Sequence, residues 1–503
     1  MDPHAHAEFH RFTSPSIVHL SYDAETESHI PFRASTRHTH RTWAKTFSCT
    51  PELYLQPQSL AELRLIITLA VTQHKKLVPV GSGHSPSDLT CTPSWLLNLD
   101  NFASLVSADL NKRQLTIQAG MRLHTMLEEM DARGWAMPTL GSITEQSIAG
   151  AIATSTHGSS LQHGLLSENV VELKLMLASG DVVACSLEEN TELFRAALVS
   201  LGALGVVVEV TVQAVPAYNV AWEQRVVALE HVLEKWNRGL WTEHEFIRCW
   251  WFPYTAKSIV WYGDKTDLPL KHRPKSWYGA GLGRFTYELL LYVARLFPRI
   301  MPQVENFVFW MQYGLKEGVN GTAVERSVEA LTMDCLFPQL VNEWSLPLSR
   351  GPEAIRRLQT WLTAADPTPS NIPIPRDGVF VHAPVEVRVS NTITRKSQNP
   401  FLDQSNKQEP TLYLNATLYR PFLADIPKWK TYFEAFEYVM KEMGGKPHWA
   451  KNHVSVTREE FWEMYPEMAT WVKVREECDP ERVFVNNWLE RNVLGEEEGK
   501  KEV

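Results

Sequence analysis

The sequence predicts an α+β fold of two domains, a first domain of strand–helix units and a second, mixed-sheet cap. Three observations predict it. The chain has 503 residues, too many for one compact core. Its first half carries two segments rich in Gly, Ser, Thr and His, and the first of them follows directly on an apolar strand. At Pro216 the character changes, and from there to about Gly445 the chain is rich in Trp and other aromatics with longer, irregularly spaced elements. Hydrophobic residues make up 44% and charged residues 21%, an ordinary globular balance. The formal net charge of −9 argues against a nucleic-acid binder, which needs a basic face to displace counterions from phosphate.

The elements follow in order. Ser59 and Glu62 form a capping box ahead of Leu60, Leu63, Ile66, Ile67, Ala70 and Val71, which recur at helical spacing and predict a helix ending near His74. Lys76 to Val80 reads as a strand and Trp95 to Leu99 as another. A strand around Leu115 to Gln118 and a helix from about Leu123 to Arg133 precede the second Gly/Ser segment. Val170 to Ala178 and Val182 to Ser186, joined through Ser179-Gly180-Asp181, predict a hairpin. A helix from Thr191 to Leu201 and a strand from Val206 to Val212 complete the first domain. In the second, Asn391 to Pro410 reads as a polar loop with little regular structure, and the tail Glu496 to Val503 as a frayed end.

Two motifs carry chemistry in the first domain. Gly81-Ser82-Gly83-His84-Ser85 can aim backbone N–H groups at an anion and sets one imidazole beside it, so a diphosphate-bearing cofactor is its natural guest. The second segment, Gly141 to Ser159, contributes Ser142, Ser147, Gly150, Thr154 and His157. In the second domain Val385-Glu386-Val387-Arg388-Val389 alternates, so Glu386 and Arg388 share one face of a strand and can converge on one ligand. His448 and Lys451 stand one turn apart if their segment is helical. Six well-separated cysteines form no CxxC pair, which argues against a zinc or iron–sulfur site and for a reducing compartment; no metal is expected.

Together these motifs resemble the vanillyl-alcohol oxidase type of flavoprotein. Lys446-Pro447-His448-Trp449-Ala450-Lys451 and Asp479-Pro480-Glu481-Arg482-Val483-Phe484 narrow the resemblance to its sugar-lactone oxidases, over about Trp43 to Gly495. The resemblance implies an N-terminal extension (1–45), an FAD-binding domain (46–216), a substrate cap (217–445) and a C-terminal segment (446–503) that returns to the flavin. It implies FAD bound covalently through His84, with Gly81, Ser82, Gly83, Ser85, Ser142, Ser147, Gly150, Thr154, His157, Val206 and His448 as further cofactor contacts. Glu386, Arg388 and Lys451 are the implied catalytic and substrate-binding residues, joined by Ser142 at the substrate. Gly141 occupies a position where a larger side chain hinders oxygen, so dioxygen is the expected electron acceptor and hydrogen peroxide the product. Which lactone, or whether an open-chain alditol, depends on the cap pocket and stays open. A noncatalytic flavin-binding protein is the alternative from another class, and the presence of Glu386, Arg388 and Lys451 speaks against it.

The N-terminus, Met1 to His10, has neither a basic start nor an apolar run, so an intracellular protein is expected, in the cytoplasm or, as in fungal relatives, on a mitochondrial membrane. Phe285 to Met301 is apolar but interrupted by Glu288, Arg295, Pro298 and Arg299, so it cannot span a bilayer. It reads as a cap helix packed on the core, or else as an amphipathic surface helix for a membrane or a second subunit.

Overall fold

The computed structural model describes residues 16–23, 28–276, 281–333, 335–382, 384–393 and 399–495. The expectations for Met1 to His10 and for the tail from Glu496 lie outside these residues.

The first domain holds two five-stranded sheets. In one, the strands Ser16–Asp23, Ser28–Ser35, Leu53–Leu55, Trp95–Asn98 and Leu77–Val80 lie side by side, and the last three run parallel. Parallel pairing needs a crossover, which helix Leu60–Thr72 supplies. Ser59 accepts a hydrogen bond from the Glu62 N–H at 3.2 Å, a cap worth about 1 kcal/mol, and Leu63, Ile66, Ile67 and Ala70 bury the helix against the sheet. Within the stretch expected as an N-terminal extension, strands Ser16–Asp23 and Ser28–Ser35 belong to this sheet. Strand Ser28–Ser35 pairs with Leu53–Leu55 and buries Phe32 and Ala34, because the alternating sequence around Phe32 gives one apolar face that only the sheet can cover.

The second sheet is antiparallel, in the order Val182–Ser186, Val170–Met176, Val206–Gln213, Gln114–Gln118, Leu105–Asp109, and contains the expected hairpin. Strand Val206–Gln213 alternates buried and half-buried residues along its whole length.

The cap is one eight-stranded sheet in the order Gly318–Arg326, Asn219–Ala228, Lys257–Thr266, Phe246–Phe252, Val385–Ser390, Thr411–Tyr419, Gln339–Pro347, Lys446–Pro447. Mixed parallel and antiparallel pairing belongs to the first sheet of the first domain; the described cap pairings are all antiparallel. Helices Gly351–Thr363 and Trp429–Glu442 pack on one face around Trp251, Trp344, Trp361, Val385, Val387 and Phe436. The other face meets the first domain, where Ser160 N–H donates to Val389 O at 2.9 Å and Ile247 N–H to Ser159 O at 3.2 Å. The C-terminal segment packs on the first domain, where Leu77 N–H donates to Val483 O at 2.7 Å.

Helix Gly281–Leu296 divides the two readings made for it. Tyr287, Leu291 and Ala294 are buried, while Leu282, Phe285, Leu289 and Leu296 stand exposed. Among the described residues no helix is long and apolar enough to cross a membrane. The loop between Asn391 and Pro410 is less polar in its setting than in its composition: Phe401 to Ser405 are buried, and Trp449 donates to Leu402 O at 2.8 Å.

Candidate functional site

The Gly81–Ser85 loop, Ser147, Gly150, Thr154, Leu201, Gly202, Gly205 and Val207 line one cavity. A cradle for a dinucleotide needs close backbone approach, and the loop provides it. A Cβ on Gly81 would stand 2.1 Å from Ser147 Oγ, and Gly83 has φ +65° with the His40 ring 3.2 Å from where a Cβ would lie. Among the described lining residues none is acidic, which suits a diphosphate. The residues present thus fit FAD. The Val206 side chain is fully buried in the core, and the pleat turns the Val207 side chain toward the cavity. His84 lines the cavity under Trp43, whose ring stacks on it at 5.3 Å.

The second part of the site lies where the cap sheet faces the first domain. Strand Val385–Ser390 places Val385, Val387 and Val389 in the cap core and Glu386 and Arg388 on the opposite face, as its alternation predicts. Arg388 Nε is 3.4 Å from Glu386 Oε2. The partner that sequence reasoning missed is Glu343, fully buried on strand Gln339–Pro347. Its Oε1 accepts from Arg388 Nη2 at 2.9 Å and lies 2.9 Å from His157 Nε2, while its Oε2 lies 3.7 Å from Lys451 Nζ and 3.4 Å from Asn415 Nδ2. Register explains the assembly: Glu386 pairs with Asn415, and Asn415 with Glu343, so the three line up across adjacent strands. The one available signal was an acidic residue inside the apolar run Leu340-Val341-Asn342-Glu343-Trp344.

The electrostatics follow from this geometry. Burial pushes the Glu343 carboxyl up, but Arg388, His157 and Lys451 outweigh it and hold the group well below the usual carboxylate range. Burial likewise lowers the Arg388 guanidinium, and Glu386 with Glu343 more than reverses that. Burial and Arg388 lower the His157 pKa against the pull of Glu343. His157 Nδ1 lies 3.0 Å from Gly158 O and Nε2 2.9 Å from the carboxylate, so both ring nitrogens face acceptors. The ring itself stacks on Tyr413 at 3.5 Å. His448 Nδ1 accepts the Ala450 N–H at 3.1 Å, and burial holds this imidazole well below its ordinary pKa, so it is neutral with its proton on Nε2.

His448 and Lys451 do not share a helix. Lys446–Pro447 is a short strand, followed by a turn in which Lys451 N–H donates to His448 O at 3.0 Å. Asn452 pins that turn between the domains, accepting from Val341 N–H at 3.0 Å and donating to Pro86 O at 3.0 Å. Arg248, on strand Phe246–Phe252, is a second missed residue. Burial lowers its pKa to about 10, with Glu386 and Arg388 pulling in opposite directions. Ser142 Oγ is buried without a hydrogen-bond partner in the described structure. Gly141 is bounded by Thr156, whose Cγ2 would stand 2.7 Å from a Cβ there, so what this glycine accommodates here is a packed threonine rather than open space.

His157, Glu343 and His448 bring one ligand atom each within 4.8 Å of one another. Arg388 and Lys451 already face the same carboxylate, so a divalent ion would meet two resident cations, and the cluster fits an anionic or hydroxyl-bearing guest better.

A model of the D-arabinono-1,4-lactone oxidase family matches residues 210–492, and a model of an FAD binding domain matches residues 51–186. The chain belongs to the D-arabinono-1,4-lactone oxidase family. A D-arabinono-1,4-lactone oxidase of Yarrowia lipolytica is 41% identical over 91% of this chain and 98% of that one. An L-gulonolactone oxidase of Scyliorhinus torazame is 36% identical over 90% of this chain and 97% of that one. A cholesterol oxidase structure from B. sterolicum superimposes with a TM-score of 0.74 at 15% identity, over 95% of this chain and 99% of that one, which shows the fold alone. Most of the cavity lining, from Val78 to Thr154, lies in the segment matched as FAD-binding, with Ser200 to Val207 and Asn486 outside it, and Glu343, Glu386, Arg388 and Lys451 lie in the segment matched as lactone oxidase.

Proposed function

We propose that the chain is an FAD-dependent aldonolactone oxidase that converts D-arabinono-1,4-lactone to its dehydro form and reduces dioxygen to hydrogen peroxide, supplying the precursor of D-erythroascorbate. The observation that carries this reading is the Glu343–Arg388–Glu386–Lys451 array on the cap face, with its Glu343–Arg388 centre buried, set against the first domain. When bound, FAD supplies the hydride acceptor. Arg388, fixed by two carboxylates, stabilises negative charge on the substrate oxygen as its C–H bond breaks. Glu386 Oε1 is buried without a partner, placed to take the hydroxyl proton. Lys451 orients the lactone, and neutral His448 donates from Nε2 at the flavin side. Oxygen consumption over a panel of D-arabinono-, L-gulono- and L-galactono-lactones and alditols tests the substrate; Arg388→Ala should abolish turnover while the flavin spectrum persists, and near-normal activity would overturn the assignment.

His84 is the residue proposed to carry FAD covalently, supported by its place in the cavity beneath Trp43. Acid precipitation should leave the yellow colour in the pellet. An intracellular location with peripheral membrane contact is proposed for the exposed apolar side of helix Gly281–Leu296, with Leu282, Phe285, Leu289, Leu296, the following Phe297, and Phe422, whose ring lies 6.5 Å from that of Phe285. The protein should float with vesicles containing anionic lipid, and Phe285→Ser/Phe297→Ser should abolish flotation.

A further inference from the structure

The sequence shows no paired cysteines, yet the fold makes one pair. Cys49, on strand Ser48–Cys49, and Cys91, just past the turn Asp88–Thr90, are half-buried, and their thiols hydrogen-bond. Thr92 N–H also donates to Cys49 Sγ at 3.3 Å. The hydrogen bond from Cys91, against the effect of burial, brings the Cys49 thiol down to about 7, whereas burial pushes Cys185, Cys249 and Cys478 up to about 12, 12 and 11. Cys49 is therefore the more acidic thiol of the pair, and both lie half-buried rather than in the core.

The surroundings give the pair a consequence. Cys49 lies opposite His40, and the turn between them folds over the Gly-rich loop. Trp43 N–H donates to Gly83 O at 2.8 Å, Thr46 Oγ1 to Pro86 O at 2.6 Å, and His40 Nε2 lies 3.0 Å from Thr90 Oγ1. A bond from Cys49 to Cys91 would close a covalent loop around the Gly81–Ser85 cradle and fasten this clamp across it.

We infer that Cys49 and Cys91 form a thiol switch oxidised by hydrogen peroxide, the product of the enzyme's own turnover. The Cys49 thiolate attacks peroxide, the O–O bond breaks, and a sulfenic acid and hydroxide result. The Cys91 thiol then displaces water from the sulfenic sulfur, forming the S–S bond; the two sulfurs lose two electrons in total and the peroxide gains them. The oxidant rests on the oxidase reading, so the test includes an arm independent of it.

Reduced holoenzyme is turned over with lactone in air, with or without catalase, quenched with N-ethylmaleimide and mapped by mass spectrometry without reduction. A second sample receives hydrogen peroxide and no lactone. The expected product in both is a Cys49–Cys91 linked peptide, two hydrogens lighter than the reduced pair, and catalase should suppress it in the first. Cys91→Ser should stop at a Cys49 sulfenic acid that dimedone traps, and only the linked wild type should gain several degrees in melting midpoint. Should Cys49 and Cys91 both remain alkylatable after added peroxide, or Cys335 oxidise before them, the switch is overturned. A linked peptide with added peroxide but none with lactone would instead count against peroxide release in turnover, and an unchanged melting midpoint on linkage would overturn the clamp.

Discussion

Glu343→Gln removes one charge and almost no volume from the centre of the site. In the wild type a single buried carboxylate faces buried Arg388 at 2.9 Å, buried His157 at 2.9 Å and half-buried Lys451 at 3.7 Å. The amide can still accept from Arg388, but its NH₂ would point at Lys451 and at the Asn415 amide, two donors. Breaking a buried pair by removing one partner costs about 3–5 kcal/mol, because the remaining charge stays buried without compensation. If about 3 kcal/mol of that falls on the reacting state, kcat/KM drops roughly 150-fold. Steady-state oxygen consumption with D-arabinono-1,4-lactone measures this, alongside flavin content and melting midpoint. Glu343→Asp keeps the charge but shortens the reach and should lie between wild type and Glu343→Gln. The reasoning is refuted if Glu343→Gln keeps its flavin and its kcat/KM stays within threefold of wild type.

Two further outcomes follow from burial and space. Gly141→Ala should lower the melting midpoint, because the new methyl meets Thr156 Cγ2; adding Thr156→Ser should restore stability while reoxidation by dioxygen stays slower than in wild type, and equal reoxidation rates would remove Gly141 from the oxygen path. Glu305 accepts from Tyr254 N–H at 2.7 Å, but burial raises its pKa to about 8. The folded state therefore holds a proton that the unfolded chain releases near pH 4.5, so this group's stabilisation falls as pH rises from about 4.5 to about 8. Glu305→Gln should accordingly gain in melting midpoint over wild type between pH 5 and pH 8, and a constant gap across that range would contradict the assignment.

The amino-acid order alone determined much of this protein. Period-two alternation put Glu386 and Arg388 on one face of their strand, and helical spacing with a Ser59 cap defined helix Leu60–Thr72, because both patterns are local. The Gly81–Ser85 loop was legible for the same reason: the residues that permit close approach are contiguous. The place of strand Ser28–Ser35 was not legible, since it depends on a partner at Leu53–Leu55. The turn at His448–Lys451 was set by Asn452 reaching Val341 and Pro86, not by helical propensity. Glu343 was the largest omission. It stands 45 positions from Arg388, and only the register of three antiparallel strands, together with a His157 delivered from the other domain, turns an acid in an apolar run into the counter-ion of the site. Side-chain direction within one element is written in the sequence; which elements lie side by side is decided by the burial of all of them at once.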